Sequence, residues 1–171
     1  MKVKFVSARE AVDLISDNSV VGTGGFVGIG VAEEIEEALE LRYNETKKPT
    51  GITLYYAAGQ GDGKDRAVNH FSPEGLLKRV VGGHWNLAPK LQKLALENKI
   101  EAYNLPQGVV SHMFRDAASR KKATISKVGL KTFVDPDFEG GKLNDITKED
   151  LVKKVTIEGE EYLYYETPKL D

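Results

Sequence analysis

Five glycines fall within nine positions of the stretch SVVGTGGFVGIGVAEE, residues 19–34: Gly22, Gly24, Gly25, Gly28 and Gly30. Glycine repays its entropy cost where the backbone needs a positive φ or where another group must come close to the main chain. A loop of this kind can aim bare N–H groups at a ligand. Two well-known phosphate cradles fail on spacing. A dinucleotide fingerprint needs a third glycine where Val27 stands, and no acid lies near the end of the next apolar run, Ile52 to Ala58. A P-loop needs Lys and Ser or Thr after its last glycine, but Val31 and Ala32 follow Gly30. Glu33 and Glu34 would repel a phosphate at the start of the following helix. A neutral carbonyl, or the oxyanion it becomes, suits the loop better. The competing explanation is a tight strand-to-helix turn that binds nothing.

A second candidate is Gln107, in Leu105-Pro106-Gln107-Gly108, where a strand is expected to end and a helix to start. Its amide can donate to a developing oxyanion without changing charge. The plain alternative is a polar turn residue in water. His70, His84 and His112 lie on separate elements, and no pair has the spacing of a metal-binding HExxH, so no metal is expected. His84 beside Trp85 could touch a substrate, but is expected to order its loop through the ring nitrogens. Asp62 and Asp65 are expected to be solvated charges. Arg120, Lys121 and Lys122 form a basic run that could meet the phosphates of a CoA, although a solvated helix end is the commoner explanation. There is no GxSxG, so a serine-esterase elbow has no support.

The segment GGFVGIGVAEEI resembles the glycine-rich signature near the N-terminus of the family I CoA-transferases, in the acetate and propionate branch. The likeness continues in order through NHFSPEGLLKRVVGGHWNLAPKLQKLALENKIEAYNLPQGVVSHMFRDAA, KVGLKTFVDP and GGKLN. Two positions depart from the pattern. Ala32 stands where the family usually carries Pro, and SRKKATISK where a Gly-Pro pair is more usual. The resemblance implies a ping-pong exchange in which a glutamate attacks an acyl-CoA thioester, passes through an anhydride, and holds CoA until a second carboxylate accepts it. In that family the glutamate belongs to the C-terminal half, so no catalytic residue is assigned to this chain. The expected contribution here is the wall opposite, a substrate- and oxyanion-binding set of Gly24, Gly25, Phe26, Val27, Gln107 and Gly108. Coenzyme A is then a substrate and no cofactor is expected. The implied partners are acyl-CoA, a short-chain carboxylate, a complementary C-terminal half or β subunit, and further copies of the chain.

The elements that must position these residues alternate between strand and helix. Val20 and Val21 lead into the glycines. Val31, Ile35, Ala38 and Leu39 then recur at helical spacing, with Glu33, Glu34, Glu36, Glu37 and Glu40 mostly on the other face. GITLYYAA suits a buried strand, and Gln60 to Lys64 a mobile glycine-rich loop. A helix is expected from Ser72 and Pro73, another through Leu87, Leu91, Leu94 and Ala95, and a strand over 100–105. Val109, Val110, Met113, Phe114 and Ala117 form the stripe of the helix after Gln107. Earlier, 2–5 suits a short strand and Ser7 a helix cap. Later, 130–144 is a connection, Thr147 caps one turn, and 152–157 and 162–165 flank a β-hairpin at Glu158-Gly159.

The expected fold is therefore α/β, an open, mostly parallel sheet with helices on both faces, ending in a hairpin. Residues 1–171 form a single domain, which the resemblance marks as incomplete, with bare sheet edges that favour self-association. A net charge of −2 gives no pull toward nucleic acid or an anionic membrane. The absence of cysteine removes disulfides and thiolate chemistry and fits a cytoplasmic setting. A non-catalytic assembly module of the same fold is the alternative function. A sugar-phosphate isomerase of similar topology is disfavoured by the acidic start of the helix after Gly30.

Overall fold

The computed structural model describes residues 3–171. Lys2, part of the expected first strand, lies outside them, and Val3 to Phe5 form no strand. Ser7 caps the short helix α1, Ala8–Val12, through a reciprocal box with Glu10. The central sheet holds β1 (Val20–Thr23), β2 (Ile52–Tyr56), β3 (Leu77–Gly82) and β4 (Glu101–Asn104), all parallel and in sequence order.

Because each crossover steps one strand in the same direction, right-handed connections put all three on one face. That face carries α2 (Glu33–Thr46), a 3₁₀ turn (Ala67–Phe71) and α3 (Pro89–Leu96). They pack Leu39, Tyr43, Phe71, Leu91 and Leu94 against Leu54, Tyr56, Val80 and Ala102. The helix α4 (Gln107–Ala118) returns over the other face, where Val109, Val110 and Met113 meet Tyr55, Val81 and Tyr103. Burial on both sides explains why β2, ITLYY, is near-continuously apolar rather than alternating.

After α4 the chain forms a separate antiparallel sheet, ordered β5 (Ala123–Ser126), β7 (Glu160–Glu166), β6 (Val152–Ile157). The β6–β7 pair is the expected hairpin. β5 lies inside SRKKATISK and escaped the sequence pattern because it is only ATIS, whose single large apolar side chain, Ile125, faces solvent.

Three local expectations are corrected. No helix starts at Ser72 and Pro73: the helical turn ends there, with Ser72 as its C-cap, and Gly75 takes φ +93°. Tertiary contacts moved the turn upstream onto Ala67–Phe71, whose residues are all buried. On α2, Ile35 is exposed whereas Glu36 and Tyr43 point inward with Leu39. Ion pairs with the 3₁₀ turn, described below, set that face. Gln60, expected in a mobile loop, is 1% exposed and bonded on both ends of its amide.

Nor are the edges of the central sheet wholly bare. Along β4, Asn104 N–H donates to Gly141 O (2.9 Å), Leu143 N–H to Ala102 O (2.9 Å), and Ala102 N–H to Thr147 Oγ1 (2.8 Å). Thr147 is thus a buried edge partner rather than the cap of an exposed turn. On β1, Val20 N–H donates to Asp171 Oδ2 (2.8 Å) and Asp171 N–H returns a bond to Val20 O (3.1 Å).

Replacing Thr147 by Val keeps the shape but leaves the buried Ala102 N–H unpaired, a cost of about 1–3 kcal/mol. The expected outcome is a melting temperature lower by roughly 2–4 °C for each kcal/mol, largely restored by Thr147→Ser. Thermal denaturation followed by circular dichroism checks this, and an unchanged midpoint in the valine variant contradicts the edge assignment.

Candidate functional site

The C-terminal ends of β1 to β4 run in turn into the glycine loop, Gly59 to Gly61, Gly82 to His84, and Pro106 to Gly108. This is the end of an open α/β sheet where ligands bind.

The glycine loop is a two-residue hairpin. Phe26 N–H donates to Ile29 O and Ile29 N–H to Phe26 O, both at 2.9 Å. Val27, at its tip, takes φ +55°, a region costly for a β-branched side chain. Two main-chain bonds hold it there: Val27 N–H donates to Gly59 O (2.6 Å), and Gly61 N–H donates to Val27 O (2.9 Å). Below the bridge, the Gln60 amide donates to Thr23 O (3.1 Å) and accepts from the Thr23 hydroxyl (3.0 Å). The hairpin is therefore strapped inward over the end of β2.

This settles which amides are available. Of the four expected donors, Phe26 and Val27 spend their N–H groups on the hairpin and the bridge. The N–H groups of Gly24 and Gly25 have no main-chain partner among the described residues. Phe26 and Ile29 present exposed apolar side chains at the tip.

Gln107 approaches from the other edge. It opens α4, and its Cα and Cγ sit 3.0 and 2.8 Å from where a Gly83 side chain would begin, so glycine there gives Gln107 its seat over the end of β3. Pro106 is the N-cap and offers no side-chain acceptor, so the first N–H groups of α4, including that of the exposed Gly108, are uncapped. The loop over β2 and Gln107 over β3 thus lie at adjacent strand ends, although their parent strands are opposite edges of the sheet.

The other candidates are placed differently. The run Arg120 to Lys122 lines a groove of about 580 Å³ between the end of α4 and the tail 167–170. That groove is at the N-terminal end of the sheet, away from the glycine loop, so the run does not share its site. Asp62 is no free charge: its Oδ1 accepts the N–H groups of Lys64, Asp65 and Arg66, the last contributing most to holding its pKa below the usual carboxylate range. Asp65 pairs with Lys90 at 3.0 Å. His84 Nδ1 is buried with no partner, so this nitrogen does not order the loop as expected.

Ala32, the N-cap of α2, has no side-chain cap bond, and the helix is anchored instead by its acids. Glu33 Oε2 accepts Ala67 N–H (2.9 Å), while His70 bridges Glu33 (3.2 Å) and Glu40 (2.5 Å). Glu36, on the same side one turn on, is 2% exposed with both oxygens unpaired. Burial, then the Glu33 charge, pushes its carboxyl up to about 7, partly offset by His70. Burial alone would lower the His70 pKa, but the bonds to Glu40 and Glu33 outweigh it and raise it. Sequence reasoning missed this cluster because Glu33, Glu36 and Glu40 look like a solvated face. Their i, i+3, i+7 spacing was the available signal.

The comparisons agree with this architecture. The chain belongs to the Coenzyme A transferase family, whose profile matches residues 5–171. It is 44% identical over 167 residues to the acetate CoA-transferase YdiF of Escherichia coli K12, covering 96% of this chain and 31% of that protein. Against the caffeate CoA-transferase of Acetobacterium woodii it is 40% identical over 168 residues, covering 98% of this chain and 32% of the relative. The crystal structure of YdiF from E. coli O157:H7 as a thioester complex with CoA superposes with a TM-score of 0.92 at 42% identity, over 95% of this chain and 32% of that one. The chain thus spans about a third of the length of these relatives.

Glu36 and His70 both bind their proton more tightly in the folded chain than in the unfolded one. Stability linked to those protons is complete below the unfolded pKa and is lost as pH rises, for Glu36 between about 4.5 and about 7, and for His70 from 6.5 upward. The Glu36 share is on the order of 3 kcal/mol. Urea unfolding should therefore show lower stability at alkaline than at mildly acidic pH, and Glu36→Gln should stabilise the alkaline form and flatten the profile. A variant as pH-sensitive as the parent contradicts the buried neutral carboxyl.

Proposed function

We propose that this chain supplies the acyl-oxygen side of an acyl-CoA:carboxylate CoA-transferase, with the nucleophilic glutamate contributed by a separate segment corresponding to the remaining two-thirds of the relatives. The observation that carries this reading is that the loop bearing main-chain N–H groups without partners among the described residues, Gly24 and Gly25, is strapped at its tip over the end of β2, beside the β3 end that seats the exposed amide of Gln107 and the uncapped start of α4 at Gly108. Neutral donors of this kind stabilise negative charge that appears on an acyl oxygen and bind the uncharged ground state less strongly. Phe26 and Val27 serve as apolar wall and as scaffold, because their N–H groups are occupied.

The relatives' names support CoA and a carboxylate as the reactants, with a short-chain acid such as acetate as the acceptor class. The reaction then needs no cofactor beyond coenzyme A itself as substrate. The reading takes a complementary half or β subunit as the partner that supplies the glutamate, with further copies of the chain in the assembly. Among the described residues no helix is long and apolar enough to cross a membrane. A cytoplasmic location accords with the absence of cysteine.

The test joins this chain to the complementary region and follows CoA transfer from acetyl-CoA to propionate. Transfer is expected, and Gln107→Ala should lower kcat by about 10²–10³ with a smaller effect on KM. Absence of transfer with both parts folded contradicts the functional reading, and unchanged kinetics in the variant removes Gln107 from the site.

A further inference from the structure

Among the described residues, three buried polar atoms at the functional end of the sheet have no hydrogen-bond partner: Tyr56 Oη, Asn104 Oδ1 and His84 Nδ1. Two of them belong to one row of the ladder. Tyr56 pairs with Gly82, and Gly82 with Asn104, so all three residues project to the same face, the one that also carries Leu54, Val80 and Ala102.

The central member of the row has no side chain. A Cβ on Gly82 would lie 2.6 Å from the Tyr56 hydroxyl, which is folded across β3 toward β4. Neighbouring parallel strands are about 4.8 Å apart, so the Asn104 amide stands one strand beyond that hydroxyl. Yet the two groups do not bond to each other. Trp85 lies over the Tyr56 ring, with centroids 6.4 Å apart at 59°, and its Nε1 donates to Tyr103 O at 3.2 Å, covering the row from outside. Tyr56 is fully buried.

Buried polar groups are almost always paired, and an orphan at this depth calls for an ordered partner. Rotating the Asn104 amide by 180° would only exchange an unpaired oxygen for an unpaired NH₂. Glycine at 82 makes the approach of the hydroxyl possible, so the polar row is built into the backbone.

We infer that Tyr56 and Asn104 hold an internal water between them, over Gly82, that ties the ends of β2 and β4 together across β3. The water accepts from the Tyr56 hydroxyl and donates to Asn104 Oδ1. Its remaining O–H and lone pair are free for a further partner, and His84 Nδ1, two residues past Gly82, is the unpaired group at that strand end. The tie lies beside both seats of the candidate site: Gly59, which receives the Val27 bond, and Gly83, on which Gln107 rests. It requires no CoA-transferase activity and stands or falls separately from that reading.

A crystal structure of the protein at a resolution that shows ordered solvent is expected to place one water within hydrogen-bond distance of Tyr56 Oη and Asn104 Oδ1. An empty slot, or a direct bond between the two side chains, overturns the inference. Tyr56→Phe gives a second readout by the sign of its effect. With the water present, losing the hydroxyl strands the water and lowers the melting temperature by a few degrees. A dry slot predicts the reverse, because the variant would delete an unsatisfied buried group, and a higher melting temperature counts against the water. If the variant does not fold, the solvent density of the parent protein decides.

Discussion

Val27 is joined to the end of β2 by two main-chain hydrogen bonds, and the rest of the candidate site depends on that joint. Without it, a hairpin leaving an edge strand would have no reason to lie over the sheet. With it, a β-branched residue is held at a positive φ, the hairpin closes, and the amides just before it are left without internal partners. Local strain is tolerated because the bridge, the hairpin bonds and the Gln60–Thr23 contacts over-determine the position. The same bonds that consume the Phe26 and Val27 donors leave those of Gly24 and Gly25 free.

The sheet topology does the remaining positioning. Sequential strand order sends α2, the 3₁₀ turn and α3 over one face and leaves the other for α4. That face change is why Gln107 can reach inward over β3 from the far edge while the hairpin reaches inward over β2 from the near one. On the first face, Glu33, bonded to Ala67 N–H, and His70, bridging Glu33 and Glu40, lock α2, the helix that follows the glycine loop, onto the turn that follows β2. Glu36, buried beside this cluster, has its carboxyl pushed up to about 7 by burial and by the Glu33 charge.

Much of the architecture was legible in the sequence because its signals are local. Apolar strands bounded by glycine, the Ser7 cap and the Glu158-Gly159 hairpin each follow from a few neighbouring residues. What was not legible is tertiary in origin. The acids of α2 look like a solvent face until the partner turn with His70 is in place. Gln60 looks like a loop residue until the hairpin folds onto it. Thr147 looks like a cap until β4 needs an edge partner. For the site, the glycines and Gln107 could be singled out by type and spacing, but hydrogen bonding decides which amides remain available, and composition does not encode it.

The central claim is that Gly24 and Gly25 carry free main-chain donors for an acyl oxygen while Phe26 and Val27 do not. Amide hydrogen exchange, resolved at these four residues in the assembled protein with and without acetyl-CoA, tests it most directly. Fast exchange at Gly24 and Gly25 that slows on adding acetyl-CoA, beside Phe26 and Val27 protected throughout, is the predicted result. Gly24 and Gly25 amides whose exchange is unaffected by bound acetyl-CoA would contradict it.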